Sequence, residues 1–193
     1  MSGPREVLLA KAIGYFAEHG VRDTSLRTLA AAIGTSQRML HYHFGSREDL
    51  LVAVIESVIE ADAAMLTQLF ANEPDPFEAG RENWRITAEH AQTFGALYFE
   101  LSSHAMYGKP YARDLGHAFV TRTQEAFEAA YASLTDPATA RRLARLTLAV
   151  GQGLMFDMLV DGDRAASDAA IEEFITLLRT RLGQTGETSA VAT

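Results

Sequence analysis

Apolar residues recur every third or fourth position along almost the whole 193-residue chain. No segment alternates apolar and polar residues in the way that a half-buried strand does, so the spacing predicts an all-α protein. Proline, glycine and capping side chains mark the predicted starts and ends of the helices. Nine helices are predicted, at about residues 4–19, 26–33, 36–42, 46–70, 76–91, 93–106, 110–134, 137–160 and 166–182.

The lengths of these helices divide the chain into parts. Three short helices come first, and Ser46 with Asp49 then has the spacing of a capping box that starts a much longer fourth helix. We therefore predict a small head over residues 1–50 and a larger helical body over residues 51–183. Residues 184–193 are small and polar without periodicity, which predicts a disordered tail.

Composition limits the class of protein. Hydrophobic residues make up 48% of the chain, enough for a sizeable core, and the absence of cysteine excludes disulfides and thiolate ligands. No charge-free run is long enough to cross a bilayer, which predicts a soluble, cytoplasmic protein with no membrane partner. The net charge is −8, yet residues 1–50 hold six Lys/Arg against five Asp/Glu, so a near-neutral head could still approach an anion.

The stretch "GTSQRMLHYHFGSREDL" (34–50) crowds polar side chains beside a few apolar anchors. It could be a solvated turn, a histidine-based metal or catalytic site, or a face for a polar partner. His41 and His43 are two residues apart and would point in nearly opposite directions on a helix, so they cannot share one ion. The chain also has no nucleophile elbow and no phosphate-cradling glycine loop. We therefore expect no metal, no cofactor and no enzymatic activity.

Two short helices joined through Gly34 have the proportions of a helix-turn-helix. Ala30 is small enough for the second helix to lie close, and Gly34 can take a backbone conformation that larger residues resist. The second helix would then expose its N-terminal end, where Gln37 could bond adenine and Arg38 guanine in the major groove. Ser36, as N-cap, would leave free backbone N–H groups for phosphate, and His41 follows one turn later.

The segments "FAEHG" (16–20), "TSLRTLAAAIGTS" (24–36), "LHYHF" (40–44) and "SREDLL" (46–51) together resemble the DNA-binding head of the tetracycline-repressor (TetR) family. The resemblance covers about the first 51 residues, while the rest matches only in the number and length of helices. Three positions depart from the usual pattern: Thr35 stands in place of Val, Arg38 in place of Gly, and His41 in place of Tyr.

The resemblance implies a homodimeric, ligand-responsive transcriptional repressor that binds a pseudo-palindromic operator in double-stranded DNA. Tyr42, His43 and Arg47 match the positions where the family contacts phosphates. The predicted DNA-binding residues are Thr28, Ser36, Gln37, Arg38, His41, Tyr42, His43 and Arg47. The family pairs its last two helices with those of a second subunit, which predicts dimerisation through residues 137–182.

Aromatic and methionine residues gather in the body. Core packing explains any single one of them, but together with the resemblance they suggest a pocket for a small apolar or amphipathic ligand. The predicted lining residues are Trp84, Phe94, Tyr98, Phe119 and Met155. Two other functions stay open: a helix-turn-helix protein without a ligand that organises the chromosome, and, remotely, a helical-bundle enzyme.

Overall fold

The structure is a computed structural model that describes residues 3–20, 24–113, 115 and 118–190, without the side chains of residues 118, 119 and 184–190. Within these ranges there is no strand, and the all-α prediction is confirmed. The described part contains eight α-helices: α1 Pro4–His19, α2 Leu26–Ala32, α3 Gln37–Phe44, α4 Arg47–Asn72, α5 Pro76–Met106, α6 Thr123–Tyr131, α7 Pro137–Asp161 and α8 Arg164–Ala190.

Local capping explains where the helices of the head begin. The Ser25 hydroxyl accepts the Thr28 N–H at the start of α2, and the Ser36 hydroxyl accepts the Met39 N–H at the start of α3. Before α4, the Asp49 carboxylate accepts the Ser46 N–H at 2.9 Å, while the Ser46 hydroxyl accepts the Asp49 N–H at 3.0 Å. This is the predicted capping box, and it fixes the start of the long helix.

The predicted break between two helices near residue 92 is wrong. Helix α5 runs unbroken through 31 residues from Pro76 to Met106. No proline or capping serine occurs between residues 88 and 94, and the nearest glycine, Gly95, is buried inside the helix. A glycine within a helix costs about 1 kcal/mol, which packing readily offsets.

The single helix predicted over residues 110–134 is also wrong. A 3₁₀ turn at Pro110–Ala112 comes first, then a π-helical stretch at Ala118–Arg122, and only then α6. A π turn holds an extra residue, so the residues after it lie on a different face than regular helical spacing predicts. Residues 114, 116 and 117 lie outside the described part of the chain.

Both ends of α7 follow the expected chemistry, whereas α8 is longer than predicted. Asp136 caps α7 by accepting the Ala138 and Thr139 N–H groups, and Gly162 ends it at φ +77°. Helix α8 extends to Ala190, into the segment predicted to be disordered. No proline interrupts residues 183–190, so nothing in the backbone forces an earlier end. Residues 191–193 lie outside the described chain.

The chain divides into two compact units. The first comprises Met1–Glu60 with Gln92–Phe119, and the second comprises Ala61–Ala91 with Val120–Thr193. Within the first unit the head is continuous with the start of α4 and the end of α5, and the pKa of Tyr111 is raised by burial and by the nearby Glu48 and Glu100 carboxylates.

The second unit has a core built from four helices. Leu66 of α4, Phe127 and Tyr131 of α6, Leu143 of α7 and Leu178 of α8 all belong to one buried cluster. Burying side chains of this size contributes about 1.5–3 kcal/mol each relative to leaving them exposed, which holds the four helices together.

Candidate nucleic-acid interface

The turn between α2 and α3 has the geometry of a helix-turn-helix. Leu29 and Leu40 are 1% and 0% exposed, and they anchor one helix on the other. Gly34 lies in the left-handed region at φ +71°, where a side chain would be strained. Thr35 N–H closes the turn on the Ala30 carbonyl at 2.9 Å. The turn is thus fixed by one glycine, one small residue and two buried leucines, as the sequence predicts.

Helical spacing sorts the side chains of α3 into four directions. Leu40 and Phe44 are buried against the rest of the head. Gln37 and His41 lie four residues apart on one flank, and Met39 and His43 lie four apart on the other. Between these flanks, on the side opposite the core, lie the exposed side chains of Arg38 and Tyr42.

The two central side chains are the most available for a partner. Tyr42 is 79% exposed, although an aromatic ring gains nothing from facing water. Arg38 is exposed beside it and carries five donors in a planar fork. Ser36, the N-cap, is also exposed, so the first-turn N–H groups of α3 lie at the surface. Together these residues form a face that can donate hydrogen bonds to anions and base edges.

Gln37 and His41 are joined to each other. Gln37 Nε2 lies 3.3 Å from His41 Nε2, and His41 Nδ1 lies 2.7 Å from the Gly45 carbonyl oxygen. Both ring nitrogens of His41 are therefore engaged inside the protein. Sequence reasoning placed His41 among the residues facing DNA but missed this link, which the i, i+4 spacing of Gln37 and His41 could have indicated.

Arg47 and Thr28 have partners of their own within the head. Arg47 Nε donates to the Thr24 carbonyl at 2.9 Å, which ties the start of α4 to the segment before α2. The Thr28 hydroxyl lies 2.9 Å from the Ser25 hydroxyl. Arg47 Nε is therefore committed to a structural bond, and only its terminal nitrogens are candidates for a phosphate.

His43 is a half-buried member of the predicted DNA-binding set. Its Nε2 is buried and has no hydrogen-bond partner within the described chain. The side chain lies at an open cleft of about 390 Å³ between α1 and α3 that is otherwise lined by Pro4, Val7, Leu8, Thr35 and Met39. A phosphate contact through Nε2 would require this side chain to move, so Nδ1 is the better candidate.

Two cationic side chains of α1 contact the helices of the helix-turn-helix. The sequence did not predict either contact. Lys11 Nζ donates to the Ile33 carbonyl at 3.3 Å, at the C-terminal end of α2. The Arg5 guanidinium lies over the Phe44 ring, 5.1 Å from its centroid. A cation at a helix C-terminus satisfies an otherwise free carbonyl and opposes the negative end of the dipole. Their long-range partners could not be read from local spacing.

The predicted ligand-lining residues are distributed over both compact units. Phe94 and Tyr98 belong to the first, while Trp84 and Met155 belong to the second; the side chain of Phe119 lies outside the described part. Trp84 is 5% exposed and its Nε1 donates to Asp168 at 2.7 Å. This bond ties α5 to α8, so Trp84 has a structural partner that the sequence did not indicate.

Asp168 is held as an anion. Burial raises its pKa, but hydrogen bonds from Arg164 and Trp84 outweigh burial and hold the pKa below its ordinary value. The result is a charge-assisted pair of bonds at one carboxylate oxygen.

Helix α7 exposes a continuous apolar stripe. Leu146, Phe156 and Val160 are 49%, 50% and 70% exposed, and Ala149 and Gly153 fill the exposed positions between them. The spacing of these five residues alternates between three and four, which is the pattern of a helix that packs against another helix. On α8, Leu177 is 60% exposed. Such a surface is unfavourable in water unless something covers it.

Helix α7 is also long and apolar enough to span a membrane by length and composition, with a mean hydropathy of 1.4. One such helix is weak support for a membrane protein, because core helices of soluble proteins pass the same test. Arg145 and Asp157 interrupt its apolar run.

Known proteins share both this sequence pattern and this fold. Residues 8–54 match the family described as bacterial regulatory proteins, tetR family. The HTH-type transcriptional regulator RutR of Escherichia coli K12 is 28% identical over 94 residues, which cover 49% of this chain and 44% of RutR. The chain thus matches less than half the length of this curated relative.

Solved structures extend the similarity to the body. A TetR-family transcriptional regulator from Pectobacterium atrosepticum has a TM-score of 0.67 and 24% identity, covering 90% of this chain and 91% of that chain. A transcriptional regulator from Streptomyces coelicolor A3(2) has a TM-score of 0.62 and 26% identity, covering 89% and 98%. The head of the chain thus matches the tetR family of bacterial regulatory proteins, and the chain shares the fold of these solved regulators.

Proposed function

We propose that this protein is a cytoplasmic transcriptional repressor that binds a pseudo-palindromic DNA operator as a homodimer and is released by a small, largely apolar ligand. The observation that carries the proposal is the helix-turn-helix, whose second helix turns Arg38 and Tyr42 outward while Leu40 and Phe44 anchor it. The family is one of regulatory proteins, and RutR is an HTH-type transcriptional regulator.

In this proposal, side chains on the outward side of α3 contact the base edges. Arg38 has the fork that bonds O6 and N7 of guanine, and Gln37 has the donor and acceptor that bond adenine. Each such pair discriminates against the wrong base by about 1–3 kcal/mol. Both side chains are exposed near the N-terminal end of α3, the part of a recognition helix that enters the major groove.

In this proposal, the residues around Arg38 and Gln37 contact the phosphates. Tyr42 offers its hydroxyl, Ser36 and the first-turn N–H groups of α3 offer donors, and Thr28 lies at the exposed start of α2. Arg47, through its terminal nitrogens, and His43, through Nδ1, complete the proposed set. These contacts position the protein on DNA without specifying sequence.

The apolar stripe on α7 and Leu177 on α8 support a dimer through residues 137–182. A second copy would cover the stripe, and Gly153 leaves open space for a close approach, since a Cβ there would meet no atom within 4 Å. A two-fold dimer places two recognition helices in major grooves about 34–36 Å apart or at a multiple of that distance. The half-sites of the operator are then inverted repeats.

The length of α4 supports the proposal that a ligand releases the DNA. This helix begins at the capping box beside α3 and ends 26 residues later at Asn72, so it is one element shared by both compact units. A ligand bound near Trp84 and Met155, both in the second unit, would favour the tilt of α4 that gives it room. The tilt would move the heads out of register with the two grooves.

The proposal is tested by selecting DNA duplexes that the protein binds from a randomised library. The affinity of the protein is then measured for the most strongly enriched duplex and for scrambled duplexes. We expect an inverted repeat bound at least about 1000-fold more tightly than scrambled DNA, as for specific regulators. Equal affinity for all duplexes would contradict sequence-specific regulation and favour a chromosome-organising protein. Small molecules that co-purify with the protein, identified by mass spectrometry, are then titrated against the complex, and release of the DNA is expected.

A further inference from the structure

We propose that His41 is a positioning residue, which orients the Gln37 amide for base reading and does not itself contact a base. The proposal rests on the proposed DNA-binding function and deepens it, because it names the residue that decides how one base pair is read. Its basis is the chain of contacts from Gly45 through His41 to Gln37.

The anchor of this chain is the backbone at Gly45. Gly45 lies at φ +85°, and a Cβ at this position would meet Asp49 Oδ2 at 2.8 Å, so only glycine fits. Asp49 itself is fixed by the capping box with Ser46. The Gly45 N–H also donates to the His41 carbonyl at 2.9 Å. The Gly45 carbonyl is therefore held in one direction, and that direction is toward the His41 ring.

This anchor decides the tautomer of His41. A carbonyl oxygen can only accept a hydrogen bond, so His41 Nδ1, at 2.7 Å from it, must carry the proton. In the neutral ring Nε2 is then an acceptor. Gln37 Nε2, at 3.3 Å, is the group that donates to it.

The tautomer in turn decides the orientation of the Gln37 amide. One N–H of the amide is used by His41, while the second N–H and the carbonyl oxygen bond no other group of the described chain. A free N–H beside a free oxygen is the pair that adenine requires, because its N7 accepts and its N6 amino group donates. If His41 did not hold it, the amide could rotate by 180° and present the two groups in the opposite order.

The gain is pre-organisation. An exposed glutamine loses rotamer freedom when it binds a base, and this loss weakens binding by about 2- to 10-fold. A glutamine held by His41 has already lost this rotamer freedom in the free protein. Removing His41 should therefore weaken the preference for adenine without changing the number of phosphates contacted.

The first test needs no DNA. Long-range ¹⁵N–¹H NMR of the full chain in mildly alkaline buffer reports which ring nitrogen carries the proton. We expect the Nδ1-protonated tautomer for His41 in the wild-type protein, and a changed Nε2 shift in Gln37→Ala, which removes the donor. An Nε2-protonated ring in the wild-type protein would overturn the proposal, since that nitrogen could not accept from Gln37.

The second test measures base preference. The probe is the best duplex from the randomised library, together with its three single-base-pair variants at the position read by Gln37. We expect the wild-type protein to prefer adenine by about 5- to 150-fold, the range for one bidentate contact. His41→Phe should lower that preference by about 2- to 10-fold and leave the salt dependence of binding unchanged.

A double-mutant comparison separates positioning from direct contact. In Gln37→Ala the preference should vanish, and adding His41→Phe should then change nothing further. If the two effects add instead, His41 acts on the DNA by itself and the proposal is wrong. If the wild-type protein shows no sequence preference at all, the proposed function fails and the base-reading role of Gln37 fails with it, while the tautomer remains an independent result.

Discussion

The helix ends of the head and the helix contacts of the second compact unit depend on bonds of different range. In the head, short helices begin and end through bonds between near neighbours, such as Ser36 with Met39 and Ser46 with Asp49. In the second unit, bonds join residues far apart in the chain, such as Trp84 with Asp168 and Arg179 with Asp75.

The surfaces of the two regions differ accordingly. The outward face of α3 carries Arg38 and Tyr42 beside Gln37, all able to form hydrogen bonds. The outward face of α7 carries Leu146, Phe156 and Val160, none of which can. The surface of α3 suits a polar partner that is recognised through directional hydrogen bonds. The surface of α7 suits another apolar helix. The exposed polar face and the exposed apolar face therefore lie on different helices of this chain.

The largest effect is expected from charging the apolar face of the body. Leu146→Glu or Leu177→Glu should give a monomer, because a buried unpaired carboxylate is costly at a helix–helix contact. Specific DNA affinity should fall by at least about 100-fold, since the two heads no longer bind together. Light scattering and DNA titration measure both outcomes.

Both leucines are exposed, so the fold of the single chain should survive these changes. Ala129→Glu, at an exposed alanine of α6, is the matched control and should remain dimeric. Phe174→Glu is less informative than the sequence suggests, because Phe174 packs on the core of its own unit. A dimer that persists in both leucine variants would place the interface elsewhere.

The next largest effect is the coupling between ligand binding and DNA binding. A ligand that releases DNA should bind operator-free protein about 30- to 150-fold more tightly than operator-bound protein, a coupling of about 2–3 kcal/mol. Linkage requires the same factor for DNA affinity with and without ligand. Calorimetry on the dimer, with and without the selected duplex, measures the first factor. Equal ligand affinities would rule out induction and leave DNA binding intact.

A smaller effect is expected at the centre of the head. Arg38→Ala should cost about 1–3 kcal/mol of specific binding and relax the preference at one base pair. Arg47→Ala is the contrasting variant: it should weaken all duplexes alike and lower the salt slope by about one. It should also destabilise the head slightly, since Arg47 Nε bonds the Thr24 carbonyl. Unchanged base preference in Arg38→Ala would mean that α3 docks differently.

The smallest effect concerns the capping box. Hydrogen bonds from the Ser46 hydroxyl and N–H lower the pKa of Asp49 below its ordinary value of 3.8. A lowered pKa means that Asp49 stabilises the fold above that value, and that this contribution is lost as the pH falls through the folded-state pKa. Asp49→Asn should cost a few tenths to about 1 kcal/mol near neutral pH.

Chemical unfolding of the Asp49→Asn variant across acidic pH measures this term. The difference from the wild-type protein should shrink as the pH falls below 3.8. Glu56→Gln, an exposed carboxylate of the same helix beyond the capping turn, is the control. A difference that stays constant with pH would show that the carboxylate charge is not what stabilises the turn.

The fold class, the match of the head to the tetR family and most helix ends could be predicted from the sequence alone. Ser36, Asp49 and Asp136 act on N–H groups within three residues, and Gly162 ends α7 through its own backbone angle. Because the two groups in each of these interactions lie within three residues of each other, the spacing of residue types along the sequence predicts them. The DNA-binding residues and ligand-lining residues stay predictions, because side-chain identity alone does not fix which partner each one meets.

The remaining features depend on contacts between distant segments of the chain. The tertiary structure kept α5 unbroken, divided residues 110–134 into separate elements, and directed Trp84 to Asp168, 84 residues away. It also turned Arg47 toward Thr24, 23 residues away. The physical reason is that such contacts form only after distant segments of the chain have packed together. Their free energy comes from burial and from bonds between those segments, and local spacing records neither.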